Sequence, residues 1–317
     1  MAFAGEERTA GADGEAGRLR GCRAALERRA GMLRAVRAFF DSQGYLEVET
    51  PTRVPTPALE LHIDAEPAGG AYLRTSPELH MKRLLAAGYE RIYQIGPCFR
   101  RGERGRHHHP EFAMLEWYRA GANYRDALAE TRALLAAVAR AALGEPVVTR
   151  HGARIRLDGE WTVLTVREAF RKLAGWDPTL AYDADRFDLD MATRVEPGLP
   201  ADRPVALIDY PAPAAALARC RAEHPPVAER WELYVGGLEL ANAFSELTDA
   251  AEQRRRFAEC ARERARLGKE AYAADEEFLR ALERGLPDCA GVALGLDRLA
   301  MLLSGAETIA EVRLFTE

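Results

Sequence analysis

The sequence lacks an apolar run long enough for a signal peptide or a membrane span, which argues against secretion and membrane insertion. It also lacks a CxxC pair, so the usual spacing of a zinc knuckle or a dithiol redox couple is missing. The cysteines are scattered, at Cys22, Cys98, Cys220, Cys260 and Cys289. Free thiols of this kind are typical of a reducing compartment, and we expect a cytoplasmic protein with no membrane contact.

The two common nucleotide-binding loops, GxGxxG and GxxxxGK[ST], do not occur either, so any nucleotide must be bound by another arrangement. An excess of basic charge is missing as well, because the formal net charge is -5. That balance argues against a protein whose main role is to coat nucleic acid. The 317 residues are 48% hydrophobic and 29% charged, which is typical of a globular enzyme with a large core.

The order of helical and strand-like segments predicts an α+β fold with a mixed, mostly antiparallel sheet flanked by helices. Helical spacing runs from Leu26 to Gly44, and an alternating strand follows that closes at Pro51. Further strands are predicted at 91–100, 111–119, 231–235, 238–244 and 291–296. Further helices are predicted at 125–143, 166–174 and 249–284, and from Asp297 onward.

The patterns also divide the chain into regions. Residues 1–20 are rich in glycine, alanine and charge without an apolar stripe, so we expect a flexible leader. Residues 21–317 contain no internal repeat or low-complexity linker, so we expect a single domain. Within it, prolines crowd the stretch from about 145 to 228 and weaken the helix and strand signals, so we expect an irregular elaboration there.

The first segment with chemical character is the strand pair around a basic loop. Arg100 ends the first strand, and a guanidinium there is costly to bury unless it meets an anion such as phosphate. On the return strand, period-two spacing puts Phe112, Glu116 and Tyr118 on one face. Such a hairpin is as typical of a solvated charged turn as of a ligand site. The run 107–109, three histidines, is a weak metal candidate because consecutive residues rarely converge on one ion.

Two later segments carry charge among apolar residues. Glu239 and Glu246 need a cation or a proton if they are buried, so they are candidates for magnesium or for a substrate ammonium. A regular strand sends them to opposite faces, and they share a site only if the strand ends or bulges near Phe244. Two exposed glutamates are the favoured alternative. In the last strand, small residues let a ligand approach, and we expect Asp297 to cap a helix whose first turn carries Arg298.

Together these segments resemble the class II aminoacyl-tRNA synthetases. The segments similar to motifs 1, 2 and 3 of that class are, in order, the helix and strand ending at Pro51, the hairpin from Phe99-Arg100 to Glu111-Phe112, and Gly295-Leu296-Asp297-Arg298. The runs from His108 to Glu116 and from Glu239 to Leu247 resemble the lysine-specific branch of the class. The resemblance covers roughly residues 26–317, and several long motifs in register are far more specific than one short pattern.

Length and two positions discriminate within the lysine branch. Only 50 residues precede Pro51, too few for the anticodon-binding OB domain that lysyl-tRNA synthetases carry ahead of motif 1. The chain is therefore similar to their stand-alone paralogues, which attach (R)-β-lysine or lysine to elongation factor P. Ser76 stands where the tRNA ligases usually have alanine, and Ala293 where they usually have glycine. Both positions line the amino-acid pocket in the family.

The resemblance implies an ATP-dependent ligase that uses Mg²⁺. Arg100 is implied to hold the α-phosphate of ATP, Phe112 to stack on adenine, and Arg298 to lie over the other side of the nucleotide. Gly295 is implied to permit its close approach. The further implied ATP contacts are Glu103, His108, His109, Glu239 and Leu240, and the implied magnesium ligands are Glu239 and Glu246. Arg100 and Arg298 are thereby the implied catalytic residues.

A second group of residues is implied to hold the amino acid, namely Ser76, Pro77, Glu78, Tyr118, Glu246 and Ala293. The chain departs from the family in the motif 2 loop. The family usually reads Arg-Asn-Glu where this sequence has Arg100-Arg101-Gly102-Glu103, and asparagine where it has His109. Glu103 and His109 are the candidates to replace the missing contacts.

The resemblance also implies partners. We expect a homodimer through the motif 1 helix, on which Phe39 and Phe40 offer apolar surface to bury. The implied acceptor is elongation factor P, and tRNA is disfavoured by the missing OB domain and the acidic balance. The alternatives are a truncated lysyl-tRNA synthetase-like enzyme that charges tRNA or another carrier, and a catalytically inactive regulatory paralogue. The presence of Arg100, Glu239, Glu246 and Arg298 argues against the inactive form.

Overall fold

The computed structural model describes residues 12–215, 217–221 and 225–315. Its helices are α1 Ala12–Gly21, α2 Arg23–Ser42, α3 Glu78–Ala86, α4 Tyr124–Leu143, α5 Val166–Leu173, α6 Ala184–Asp190, α7 Glu196–Gly198, α8 Ala250–Arg266, α9 Glu276–Gly285 and α10 Leu296–Ser304. Its strands are β1 Leu46–Glu47, β2 Arg53–Val54, β3 Tyr72–Leu73, β4 Arg91–Phe99, β5 Glu111–Ala120, β6 Val147–Arg150, β7 Ala153–Arg156, β8 Thr162–Thr165, β9 Val205–Pro211, β10 Cys220–Arg221, β11 Val227–Val235, β12 Leu238–Ser245 and β13 Cys289–Gly295. A π-helical stretch covers Met191–Val195.

One nine-stranded sheet organises the chain. Its strands follow the order β1-β4-β5-β13-β12-β11-β9-β8, and β10 pairs with β11. The pairs β1–β4 and β8–β9 are parallel, and the others are antiparallel. The expected α+β class, with a mixed and mostly antiparallel sheet flanked by helices, is confirmed.

Helices cover both faces of the central strands, because period-two alternation sends neighbouring side chains to opposite sides. Trp117 of β5 packs with residues of α2, α4 and α10 in one buried cluster. Its neighbour Tyr118 packs with residues of α3, α8 and α9 in another, which includes Met81 and Phe278. Burial on both faces explains why β13 reads as a nearly continuous run of small and apolar residues.

The stretch 145–228, for which we expected irregular structure, contains regular elements. Besides α5, which matches the helix predicted at 166–174, it supplies β6 and β7, and its strands β8 and β9 extend the main sheet beyond β11. The prolines lie where they disturb strand pairing least: Pro204 precedes β9 and Pro211 ends it. Tertiary pairing therefore overrides the weak local signals, and all of β9 is buried.

The other predicted elements differ mainly at their ends. The helical stretch 249–284 is two helices, α8 and α9, and Gly268 between them has a φ of +70° that a helix cannot continue through. Of the predicted leader, residues 1–11 lie outside the described part of the chain, and the rest belongs to α1. Among the described residues no helix has the length and apolarity that crossing a membrane requires.

The motif 1 segment forms as predicted, but Phe40 does not serve the expected purpose. The segment consists of α2 and the short edge strand β1, which pairs with β4. Phe40 is fully buried, with its ring stacked on Tyr93 at 4.6 Å and tilted against Trp117 at 5.3 Å. Phe40 belongs to the core of the protomer because its place on α2 faces the sheet. The apolar groups left near the surface are half-buried Phe39 and Leu46, which is 51% exposed.

This difference between two adjacent phenylalanines can be tested. We expect Phe40→Ala to lower the free energy of unfolding by about 3–5 kcal/mol, because it empties a site between two aromatic rings. The matched variant Phe39→Ala should cost much less, since that ring lies at the rim. Denaturant unfolding at two protein concentrations gives both values. A Phe40→Ala effect seen only as weaker self-association would contradict the core assignment.

Candidate active site

A cavity of about 230 Å³ lies above the sheet, where the β4–β5 hairpin, β12 and the start of α10 meet. The loop between β2 and β3 closes one side with Glu60 and Ile63. The residues expected from the sequence that line this cavity are Arg100, Glu103, His108, His109, Phe112, Glu239, Leu240, Ala293, Gly295 and Arg298. Residues as far apart in sequence as Arg100 and Arg298 are thus brought to one place by strand pairing. The predicted nucleotide contacts are assembled as a group.

Arg298 is held at the cavity wall by groups from two other elements. Its Nη1 donates to the Glu239 carbonyl at 2.9 Å and to the Glu239 carboxylate at 3.1 Å. Its Nη2 lies 2.7 Å from Nε2 of His108. Burial and the charge of Arg298 lower the pKa of His108 to about 4, so this imidazole is neutral near pH 7 and accepts the hydrogen bond. The guanidinium is therefore fixed in place before any ligand arrives.

Arg100 emerges at the end of β4, on the opposite side of the hairpin. Its guanidinium lies 5.1 Å from the centre of the Phe112 ring, and one nitrogen is 3.8 Å from the Glu103 carboxylate. Its Nε is buried without a hydrogen-bond partner among the described residues. A half-buried guanidinium with one unpaired nitrogen next to an aromatic ring fits a phosphate joined to a heterocycle.

Glu232 is a site residue that the sequence reasoning missed. It lines the cavity from β11, where it pairs with Arg230 at 2.5 Å and accepts hydrogen bonds from Tyr210 at 2.6 Å and Tyr234 at 2.8 Å. Burial alone would raise its pKa, but Arg230 and the tyrosine hydroxyls outweigh burial and leave that pKa lowered. Its charge, together with burial, raises the pKa of Glu239. An acidic residue inside an apolar strand was the signal available in the sequence.

Below the cavity lies a group that we call the acidic cluster: Glu78, Glu116 and Glu246, with Ser76, Lys82 and Tyr118. Ser76 donates to Glu116 at 2.9 Å, and Tyr118 donates to the other carboxylate oxygen at 2.5 Å. Ser76 also accepts from the backbone of Glu78 at the start of α3, with Pro77 between them. Lys82 bridges Glu78 and Glu246, at 2.5 Å from each. The predicted amino-acid contacts are thus brought together, around a lysine that the sequence reasoning did not single out.

The acidic cluster holds more negative than positive charge. Burial raises the pKa of Glu116 to about 7 and that of Glu246 to about 8, and neighbouring carboxylates add to both shifts. Burial opposes the charge on Lys82, but Glu246 and Glu78 outweigh it and raise its pKa. One ammonium cannot neutralise three carboxylates. Lys82 therefore stays charged, and the cluster has an excess of carboxylates that a further positive charge would balance.

Gly291 makes the cluster sterically possible. It pairs with Tyr118 on β5 and Phe244 on β12. A Cβ atom at this position would meet Cε1 of Tyr118 and Oε1 of Glu246 at far less than contact distance. Two strand positions later, Ala293 pairs with Glu116 and also lines the cavity. The strand of small residues therefore connects the cavity to the acidic cluster, as expected for a ligand that approaches the backbone.

Glu239 and Glu246 do not come together, which corrects the expected pair of magnesium ligands. The irregularity in β12 lies at Leu240, where the register with β11 shifts, and not near Phe244. Glu239 faces Arg298 in the cavity, whereas Glu246 follows the strand and meets Lys82. The carboxylate that accompanies Glu239 is Glu232. Among the described residues no group of three or more potential ligands has the arrangement of a metal centre.

Asp297 does not cap α10, which corrects a second expectation. The residue at the cap position is Gly295, and Asp297 lies in the first turn. Its buried carboxylate accepts from the backbone of Ala113 at 2.8 Å and pairs with Arg29 at 2.6 Å and Arg313 at 3.2 Å. Asp297 therefore ties the start of α10 to β5, to α2 and to the C-terminal segment, and it fixes the spacing between the two cavity walls.

The sequence of this chain is similar to those of known proteins. A family model described as tRNA synthetases class II (D, K and N) matches residues 16–317. The elongation factor P–(R)-β-lysine ligase of Enterobacter sp. strain 638 is 42% identical over 311 residues, covering 92% of this chain and 94% of that protein. The ligase of the same name from Hamiltonella defensa is 39% identical, with the same coverages. The lysine–tRNA ligase of Moorella thermoacetica is 40% identical over 316 residues, and this chain spans 64% of its length.

The ion pairs of Lys82 lead to a prediction about stability. We expect Lys82→Met to lower the free energy of unfolding by about 3–5 kcal/mol at pH 8, because it leaves buried carboxylates without a cation. The loss should shrink as the pH falls towards 5, since carboxyls whose folded pKa is raised take up protons there and lose their charge. The double variant Lys82→Met/Glu246→Gln is the matched control and should recover part of the loss. A deficit independent of pH would contradict this account.

Proposed function

The chain belongs to the class II tRNA synthetases of the D, K and N group, and on that premise we propose that it activates (R)-β-lysine with ATP and transfers it to elongation factor P. In the proposed reaction the amino acid first becomes an aminoacyl-adenylate. A lysine side chain of the translation factor then accepts the aminoacyl group. Relatives that carry the name of such a ligase cover 92% of this chain and are themselves covered to 94%.

The observation that carries the proposal is the junction of two unlike sites. The cavity presents two arginines, Arg100 and Arg298, on either side of a space next to the Phe112 ring. The acidic cluster begins one strand away, and Ala293 belongs to both because it lines the cavity and pairs with Glu116. A triphosphate and a cationic amino acid placed in these sites would meet where the sites join.

The acidic cluster suits a substrate with an additional ammonium group. Glu78, Glu116 and Glu246 face a single internal cation, Lys82. An ammonium group of a diamino acid would supply the missing positive charge, because it is already fully protonated. Ser76 and Tyr118 fix the orientation of the Glu116 carboxylate, so the ammonium would find its partner already positioned.

The nucleotide chemistry follows from the two arginines. The substrate carboxylate attacks the α-phosphorus of ATP, the bond to the β-phosphate oxygen breaks, and pyrophosphate leaves. Arg100 and Arg298 neutralise the charge that develops on the phosphate oxygens, and no side-chain nucleophile is required. The walls are held rigid by Asp297 and by the contacts of Arg298 with Glu239 and His108.

A divalent cation fits the cavity through Glu239 and Glu232. Both carboxylates line it, and their mutual repulsion raises the pKa of Glu239 beyond the effect of burial. Paired oxygen ligands of this kind suit Mg²⁺ bound together with phosphates. The cation would supply charge neutralisation to the triphosphate. We assign Glu239 and Glu232 to this role and Glu246 to the ammonium of the amino acid.

We propose a protein acceptor in preference to tRNA, and a cytoplasmic reaction, because ATP and a translation factor meet there. Support comes from the acidic net charge of -5, which disfavours a polyanionic partner. We further propose a homodimer through the motif 1 segment, since β1 is an edge strand with exposed Leu46 and half-buried Phe39 close by. Sedimentation at micromolar concentration should give the dimer mass, and a monomer would contradict this proposal.

An acceptor assay tests the proposed function. With ATP and (R)-β-lysine, we expect ATP–pyrophosphate exchange and stable labelling of elongation factor P, detected by mass spectrometry of the intact factor. Parallel reactions contain α-lysine in place of β-lysine, and bulk tRNA in place of the factor. Efficient charging of tRNA without modification of the factor would overturn the proposal and favour a lysyl-tRNA synthetase-like enzyme.

A variant of Arg100 tests the role of the cavity. We expect Arg100→Ala to lower the exchange rate by at least about 100-fold with little change in melting temperature, because it removes contacts to the transition state and not core packing. The adjacent Arg101→Ala is the matched control, since Arg101 is exposed and does not line the cavity. Full exchange activity in Arg100→Ala would contradict the assignment.

A further inference from the structure

Glu60 is an active-site carboxylate that the activation step does not use. It lies in the loop between β2 and β3, is half-buried, and lines the same cavity as Arg100 and Arg298. Within the described residues its carboxylate forms no hydrogen bond and no ion pair. A carboxylate held unpaired in an active-site cavity is a candidate partner for a group that arrives with a ligand.

The backbone of the Glu60 loop is fixed by one side chain. Arg264 of α8 is completely buried, and its Nη1 donates to the carbonyls of Glu60, Leu61 and Ile63 at 2.7, 3.2 and 2.9 Å. Its Nη2 pairs with Asp64 at 2.6 Å. An arginine that satisfies several loop carbonyls replaces the hydrogen bonds of regular structure. Glu60 is therefore positioned in spite of lying on a loop.

Charged groups of both proposed subsites act on Glu60. The groups that act on it electrostatically include Arg100 and Glu103 of the phosphate side, and Glu78 of the acidic cluster. Arg230 faces it from β11, and Glu60 in turn acts on Cys260 of α8. Glu60 therefore shares one cavity with the two arginines proposed to bind phosphate, and it lies within electrostatic range of Glu78 in the acidic cluster.

The second half-reaction, transfer of the aminoacyl group to the acceptor lysine, needs a base in this cavity. A lysine side chain has a pKa near 10.4, so only roughly 0.04% of it is the uncharged nucleophile at pH 7. The acceptor must lose a proton before its nitrogen can attack a carbonyl carbon. A tRNA hydroxyl brings no positive charge, whereas a lysine of a protein brings an ammonium that a carboxylate attracts.

We propose that Glu60 binds the ammonium of the acceptor lysine and removes one of its protons, an inference that rests on the proposed function. The free amine attacks the adenylate carbonyl, a C–N bond forms, and the bond from that carbon to the phosphate oxygen breaks. AMP leaves with the bonding electrons. The nitrogen loses its second proton to the departing phosphate or to water, and Glu60 returns its proton to solvent.

The surroundings of Glu60 suit this role. Burial raises the pKa of its carboxyl, with Glu78 and Glu103 adding to the shift and Arg100 and Arg230 opposing it. A carboxylate with a raised pKa is a stronger base than one in water. The neighbouring Arg100 and Arg230 act against that shift and favour the ionised form, which attracts an ammonium.

The test separates activation from transfer. Glu60→Gln keeps the size of the side chain but removes the base, and Glu66→Gln, an exposed position in the same loop, is the matched control. Three rates are measured for the intact protein from pH 7 to 9: pyrophosphate exchange, trapping of the adenylate by hydroxylamine, and single-turnover transfer to elongation factor P. Hydroxylamine is uncharged at these pH values and needs no base.

We expect Glu60→Gln to retain exchange and hydroxylamine trapping within about threefold, and to lose transfer by at least about 100-fold at pH 7. The loss should shrink roughly tenfold per pH unit, because the acceptor lysine deprotonates unaided as the pH rises. Glu60→Asp should keep the pH profile of the parent at a lower rate, and Glu66→Gln should match the parent throughout.

Two results would overturn this inference but not the proposed function. The first is pyrophosphate exchange that falls in parallel with transfer, or that falls with a raised KM for the amino acid. The second is a transfer defect that is unchanged at pH 9. The first would assign Glu60 to substrate binding or to loop structure. Failure of the proposed function is distinguishable, because it shows in the parent protein. A parent that charges tRNA and leaves the factor unmodified removes the ammonium acceptor, and the inference falls with it.

Discussion

The paired contacts of Lys82 are the interaction on which the architecture of the site depends. Three carboxylates converge under the central sheet, and in a medium of low dielectric they would repel one another strongly if no cation lay among them. Lys82 joins α3 to the end of β12 across β13, at 2.5 Å from Glu78 and from Glu246. It balances part of that negative charge, and the remainder is what the proposed cationic substrate would balance. The same group would then govern both stability and affinity for that substrate.

Asp297 plays the corresponding part for the nucleotide side. Its carboxylate is shared by the backbone of β5, by Arg29 of α2 and by Arg313 near the C-terminal end of the described chain. Phe112 adjoins the first of these contacts, and Arg298 adjoins Asp297 itself. The two surfaces proposed to enclose the adenine ring are thus positioned by one buried group, the Asp297 carboxylate. Through Arg29, α2 is joined to the same carboxylate.

The elements of the fold were predictable where periodicity is strong. The β4–β5 hairpin follows its alternation along its whole length, and the strands predicted at 231–235 and 238–244 are found in β11 and β12, joined by a turn at Gly236 and Gly237. Phe40 was misplaced because a helical stripe does not say which part of its apolar surface faces the core and which faces a partner. The strands β8 and β9 were missed because their stability comes from pairing with distant strands and not from local preference.

The site was predictable from motifs, but its internal partners were not. The cavity residues and the amino-acid contacts were named from resemblance, yet Lys82 and Glu232 were not, because their importance lies in contacts across strands. Glu246 was paired with the wrong glutamate because a bulge at Leu240 cannot be located from composition. Glu60 gave no signal at all, since nothing in a loop sequence reveals that a remote arginine holds its backbone.

That arginine has a consequence for motion. Arg264 lies in the last turns of α8, the part of a helix that unwinds most readily. When those turns open, the carbonyls of the Glu60 loop lose their donors together, so helix end and loop form one cooperative unit of local unfolding. Their backbone amides should then exchange with solvent deuterium with a common free energy of opening. Opening of the end of α8 would therefore also release the wall of the cavity that carries Glu60.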